Sequence, residues 1–152
     1  MKPSSLAAAR EFLKNRRIAL VGISRNERDF SRAVFDELIS RGYDVVPVNL
    51  AMVEVNGRNC FARLQDVKPP VQAALLMTPP SQTDRVVQDC IAAGVSKVWM
   101  HRGIGHGSAT ASALARCEAS GLEAIHDLCP FMALPDIGLM HRLHRELRGA
   151  EG

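Results

Sequence analysis

The chain has 152 residues, 47% hydrophobic and 23% charged, and its 19 Lys+Arg against 16 Asp+Glu leave a net charge of +3. That is the length of one globular domain with enough apolar residues to bury a core, and 11 Gly and 8 Pro are too few for a low-complexity chain. An aromatic content of 5% argues against single-strand nucleic-acid binding by base stacking, and a surplus of three charges is too weak to grip nucleic acid, though it suits a small anion.

In chain order, Leu6 to Asn15 reads as a short Ala-rich helix with no strong face. Arg17-Ile18-Ala19-Leu20-Val21-Gly22 is an apolar run of strand length ending in Gly. Phe30, Val34, Phe35, Leu38 and Ile39 then recur at helical spacing, and Gly42 stops that helix. Tyr43 to Val48 is a second strand, closed by Asn49. Val53-Glu54-Val55 with Asn56-Gly57 predicts a small hairpin, and Phe61 to Val67 a short helical turn. Val71 to Met77 is a third strand, broken by Thr78-Pro79-Pro80. Ser81 is read as the N-cap of a helix carrying Val86, Val87, Cys90 and Ile91 and ended by Gly94. Lys97 to Met100 is a fourth strand; Ser108 or Thr110 opens a further helix closed by Gly121; Leu122 to Ile125 is a fifth strand; Ile137 to Leu147 is a terminal helix rich in Arg and His.

Buried strands alternating with helices predict parallel βαβ units. The expected fold class is α/β, a doubly wound Rossmann-like parallel sheet of five strands in the order 3-2-1-4-5, with helices on both faces. Residues 1–16 would form an N-terminal helix, 17–134 the nucleotide-binding domain, and 135–152 a C-terminal helix and tail. The longest strongly apolar run, Val71 to Met77, is too short to span a bilayer, so no membrane partner is expected. Cys60, Cys90, Cys117 and Cys129 form no CxxC, and His141 and His144 are the nearest histidine pair, in a basic tail, so no metal is assigned. Free thiols and an N-terminus with no apolar leader predict a cytoplasmic protein.

In such a sheet, ligands lie beyond the carboxyl ends of the strands. The first of these turns departs from a dinucleotide fingerprint, which needs three glycines to bring backbone amides onto a pyrophosphate. Only Gly22 is present, with Ser24 and Glu27 at the other two positions. The second strand ends in Asn49 where an acid would bind the ribose hydroxyls of NAD. Gly103-Ile104-Gly105-His106-Gly107 is a second Gly-rich turn, either an anion cradle or a flexible loop. Arg102 beside it would pair with a phosphate or with Asp127. Cys129, followed by Pro130, is either a thiol at the functional edge or a buried structural residue. His101, Asp127 and Cys129 are the residues that a catalytic constellation would use, but nothing in the spacing brings them together, and an enzyme is not expected.

The same departures fit another family. Ile18-Ala19-Leu20-Val21-Gly22-Ile23-Ser24, Gly42 to Asn49, Glu54-Val55-Asn56-Gly57, Leu64-Gln65-Asp66-Val67, Thr78-Pro79-Pro80, Trp99-Met100-His101-Arg102-Gly103 and Cys129-Pro130 follow the order seen in bacterial stand-alone CoA-binding domain proteins. The chain resembles this family from about Arg17 to Leu134, and the family shares the fold of the CoA-binding domain of the succinyl-CoA synthetase alpha subunit. The resemblance implies coenzyme A or an acyl-CoA as ligand. Gly22, Ile23 and Ser24 would receive the pyrophosphate; Pro47, Val48 and Asn49 would border the adenosine; Thr78 and Pro79 would flank the adenine or the pantetheine arm. The lysine that synthetases carry after the second strand is replaced by Leu50-Ala51-Met52, which leaves Arg25, Arg28 and Arg32 as local cations. Arg102, Gly103 and Cys129 complete the expected site. Two other readings stay open: an NAD(P)-binding redox protein or sensor, and a regulatory or structural partner subunit with a vestigial pocket. For the latter, the tail His141–Arg148 would serve a homodimer or partner surface.

Overall fold

A computed structural model describes residues 4–101 and 107–135. Arg102, Gly103, the remainder of the second Gly-rich turn up to His106, and the terminal helix expected over residues 137–147 lie outside them.

The elements run α1 (Leu6–Phe12), β1 (Arg17–Val21), α2 (Phe30–Ser40), β2 (Asp44–Val48), β3 (Glu54–Val55), β4 (Arg58–Asn59), a 3-10 turn (Leu64–Asp66), β5 (Ala73–Leu76), α3 (Pro80–Ala92), β6 (Lys97–His101), α4 (Ala111–Ala119), β7 (Glu123–Leu128) and α5 (Pro130–Ala133). Five strands form one parallel sheet in the order β2-β1-β5-β6-β7, and β3 pairs with β4 in the small hairpin. Each strand divides its residues between two cores because successive side chains point to opposite faces. Ile18, Leu20, Val45, Ala73, Leu75, Trp99 and Ile125 meet α1, α2 and α5 on one face; Ala19, Val21, Val46, Ala74, Leu76, Val98 and Met100 meet α3, α4 and the 3-10 turn on the other. Trp99 is fully buried, edge-on to Phe12, and its indole N–H donates to the Leu128 carbonyl at 3.1 Å. The α1 face therefore exists: it is Ala9, Phe12 and Leu13, hidden in the sequence by the small Ala9.

The doubly wound parallel class holds. Counted by its five long strands the order is 2-1-3-4-5, with the third beside β1, where 3-2-1-4-5 would set it outside β2. Pro47 is the physical reason. It has no N–H for an outer neighbour, so its strand belongs at a sheet edge. The outer side of β2 is met only locally, where the Phe61 N–H donates to the Pro47 carbonyl (3.0 Å) and the Asn49 N–H to the Phe61 carbonyl (2.9 Å).

Two local expectations change, and one left open between two residues is decided. Pro79, not Ser81, is the N-cap of α3, because Pro80 presets the first helical residue. Thr110 opens α4, its hydroxyl accepting from the Ala113 N–H at 3.0 Å. β7 runs on to Leu128 through a bulge at Asp127, whose φ is +59°, and the Asp127 carboxylate lies 2.8 Å from His126 Nδ1.

Candidate functional site at the β1/β5 crevice

The helix after β1 packs on one face of the sheet and the helix after β5 on the other. The strand order thus reverses between β1 and β5, which is where an open α/β sheet leaves a crevice at its carboxyl edge. Gly22 sits there with φ +94°. Its N–H donates to the Val48 carbonyl at 3.2 Å, and the Met77 N–H donates to the Val21 carbonyl at 2.8 Å, so the end of β1 is held from both sides. A Cβ on Gly22 would lie 2.8 Å from the Met77 carbonyl oxygen.

A cleft of about 530 Å³ opens at this point. Its floor is Val21, Gly22, Val48 and Thr78; Asn49 and Leu50 rise on the β2 side; Ala62, Arg63 and Leu64 form a second wall, and α3 supplies Gln82, Arg85, Val86 and Asp89. The volume is in the range of small-molecule sites, and an apolar floor under a few polar groups is their usual composition. Arg85 is exposed and, among the described residues, has no ion-pair partner. Arg63 Nε is 3.8 Å from Asp66 Oδ2 across an exposed pair, an interaction that solvent weakens. Asp89 is turned aside, accepting from Gln65 Nε2 at 2.8 Å.

Of the residues expected from sequence, Gly22, Val48, Asn49 and Thr78 come together in the cleft. Ile23 is fully buried in the α2-side core, and Pro47 is buried in β2. Pro79 is exposed at the start of α3, and Cys129, half-buried, precedes α5 at the end of β7, two strands from β5. Arg102 and Gly103 fall outside the described residues.

The loop from Ser24 to Asp29 is closed on itself. Ser31 Oγ accepts from the Ser24 N–H (2.9 Å), Ser24 Oγ from the Asn26 N–H (3.1 Å) and Asn26 Oδ1 from the Arg28 N–H (3.0 Å). The Asp29 carboxylate caps α2, accepting from the Ser31 N–H and hydroxyl at 2.9 and 2.6 Å. The positive end of that helix already holds an anion. Arg25 donates to the Ala51 carbonyl (2.6 Å), and buried Arg32 to the Ser24 carbonyl (3.3 Å) and Asn56 Oδ1 (3.0 Å). Two of the three local cations named from sequence are engaged within the protein. Among the described residues, the arginines that line the cleft are Arg63 and Arg85, which sequence reasoning missed. Gln82, Arg85, Val86 and Asp89 stand at i, i+3, i+4 and i+7, a single helical stripe and the one signal that could have found that wall.

Under the cleft lies a buried polar network. Thr78 and Thr83 hydroxyls meet at 2.7 Å, and the Ser108 hydroxyl donates to the Thr78 carbonyl at 2.7 Å. With that proton engaged, Ser108 Oγ accepts from His101 Nδ1 at 3.2 Å, which sets the histidine's tautomer. Burial pushes the His101 pKa below its ordinary 6.5, against smaller opposing effects of the Leu76 backbone and the Asp29 charge. The folded state therefore binds fewer protons at His101 than the unfolded chain. Its contribution to stability is complete above pH 6.5 and is lost as pH falls from there through the lower folded value. Chemical denaturation across that range should show the wild type losing stability relative to His101→Asn as the solution is acidified. Parallel curves for the two proteins would refute it.

Cys60, Cys90 and Cys117 are unactivated thiols. Burial raises the pKa of Cys60, Cys90 and Cys117, and thiol pKa raised this way suppresses the reactive thiolate. No helix among the described residues is long and apolar enough to cross a membrane.

Residues 16–135 match the CoA binding domain family. The uncharacterized protein YneT of Bacillus subtilis is 25% identical over 130 residues, covering 85% of this chain and 93% of that protein. A hypothetical protein from Pyrococcus horikoshii OT3 superposes with a TM-score of 0.77 at 27% identity, covering 86% of this chain and 92% of the other. The Ca. Korarchaeum cryptofilum dinucleotide forming acetyl-coenzyme A synthetase 1, solved in complex with phosphate and ADP, matches with a TM-score of 0.68 at 26% identity, over 77% of this chain but 27% of the enzyme. With the family match running from the start of β1 to the end of α5, the chain belongs to the CoA binding domain family.

Proposed function

We propose that the β1/β5 cleft binds coenzyme A or an acyl-CoA, and that the domain acts as a binding or regulatory module. The observation that carries this reading is the cleft itself: bare Gly22 backbone at the switch in strand order, with Arg63 and Arg85 among the residues that line it. In this reading Val48, Asn49 and Leu50 border the adenosine, Gly22 and the two arginines meet the phosphates, and Thr78 lies along the arm. Arginine suits phosphate because its planar fork gives paired charged hydrogen bonds. The similarity to an acetyl-coenzyme A synthetase supports the same ligand class.

Binding rather than catalysis fits the side chains near the cleft. Ser108 and His101 form a hydroxyl–imidazole pair, but Ser108 is fully buried with its proton on the Thr78 carbonyl, so it is not placed to attack a ligand. Asp127 pairs with His126, the residue beside it in β7. Titration calorimetry with CoA, acetyl-CoA, NADH and NADPH tests the proposal. CoA or its thioester should bind and NADH should not. Saturable NADH binding with none of CoA would replace it with the redox reading, and silence from all four would favour a partner subunit with a vestigial pocket.

A further inference from the structure

Asn49 stands where NAD recognition requires an acid, and the structure shows what its amide does instead. Nδ2 donates to the Ile23 carbonyl at 2.7 Å, and Oδ1 accepts from the Ala51 N–H at 2.7 Å. The orientation is unambiguous, since a carbonyl can only accept and an amide N–H can only donate. Both polar ends of the side chain are therefore engaged between the turn after β1 and the turn after β2. Arg25 ties the same two turns a second time, through the Ala51 carbonyl at 2.6 Å. Asn49 also lines the cleft, so its two hydrogen bonds fix one wall of the site relative to the Gly22 floor.

We infer that Asn49 is a positioning residue and a specificity determinant: it braces the β1 and β2 turns into one wall, and the brace closes the route to nicotinamide dinucleotides. An aspartate here would satisfy the Ala51 N–H but would set a carboxylate oxygen against the Ile23 carbonyl, two acceptors with no proton between them. The acid that would read a ribose diol is thus incompatible with the wall that holds it. The specificity part rests on the proposed CoA reading; the brace part does not.

The experiment has two arms on the full chain. Calorimetry with CoA and NADH compares wild type, Asn49→Asp and Arg25→Ala. Loss of a hydrogen bond with an acceptor left unpaired corresponds to an affinity decrease of about tenfold. Asn49→Asp should show that decrease for CoA and no gain for NADH, and Arg25→Ala a smaller decrease of the same kind. Hydrogen exchange of peptides covering Ile23–Asp29 and Leu50–Val53 is the second arm. Asn49→Ala should speed exchange in both segments together while leaving β5 and β6 unchanged, a pattern that general destabilisation would not give. If wild type fails to bind CoA, the cleft reading falls while the exchange arm still decides the brace. If Asn49→Asp keeps wild-type CoA affinity or gains NADH binding, the specificity role is refuted; unchanged exchange in Asn49→Ala refutes the brace. Should Asn49→Asp not fold, Arg25→Ala decides the affinity arm.

Discussion

Replacing Gly22 with alanine is expected to unfold a large fraction of the protein's stability and to abolish ligand binding in what remains folded. Two costs combine. At φ +94° an L-residue is strained by about 1–3 kcal/mol. The added Cβ would also sit 2.8 Å from the Met77 carbonyl oxygen and 2.9 Å from its carbon, and crowding of a close-packed site costs about 1–3 kcal/mol more. The obstacle is backbone, held in place by the Met77 N–H to Val21 carbonyl bond at 2.8 Å, so it cannot rotate away. Relief requires β1 and β5 to part at the crevice, which is the floor of the cleft. Gly94→Ala is the control: φ there is +77°, but nothing lies within 4 Å of the new Cβ, so only the strain remains. Thermal melting should show Gly22→Ala lowered by about 10 °C or more and Gly94→Ala by only a few degrees. Equal losses would mean that the close approach of β1 and β5 does not matter.

The sheet was legible because β1, β2, β5 and β6 are buried along most of their length and so read as apolar runs, and because Gly42, Gly94 and Gly121, with φ of 84°, 77° and 72°, punctuate the helices where left-handed backbone is needed. Strand order was less legible, yet one residue carried it. Pro47 inside an otherwise ideal strand marks an edge, and weighing its missing N–H would have moved the third strand next to β1. The floor of the cleft could be read from strand ends, and Gly22, Val48, Asn49 and Thr78 meet there. Its walls could not. Ala62 and Arg63 belong to a connection with no periodicity, placed by a single parallel bridge between Phe61 and Val48. Arg85 looks like any solvated helix residue until α3 is docked. Of the arginines that sequence did single out, Arg25 and Arg32 bond to backbone carbonyls of the turns beside the crevice, a role that charge counting does not distinguish from waiting for an anion.

That distinction sets the strongest test of the ligand reading. Removing Arg63 and Arg85 together should weaken CoA binding far more than removing any cation of the β1–α2 loop. A hydrogen bond to a charged group contributes about 1.5–3 kcal/mol, so each arginine corresponds to a roughly ten- to hundredfold change and the pair to more. Neither side chain holds a structural bond that its loss would break: Arg85 has no ion-pair partner among the described residues, and Arg63 only the 3.8 Å contact with Asp66. Arg63→Ala with Arg85→Ala should therefore leave the melting temperature nearly unchanged while affinity collapses, a separation that a folding defect cannot produce. The salt dependence of binding should flatten in parallel, because exposed charge pairs are what added salt screens. Arg85→Lys should keep part of the affinity, since it retains the charge and loses the fork. Comparing CoA with its 3′-dephospho form then shows which phosphate the wall meets: if the arginines hold the 3′-phosphate, the double variant will treat the two ligands alike. Arg28→Ala, on the exposed side of the self-capped loop, is the counter-test. If it weakens CoA as much as Arg85→Ala does, the phosphates sit over the first turn of α2, and the cleft between α3 and the 3-10 turn is not where the anion is held.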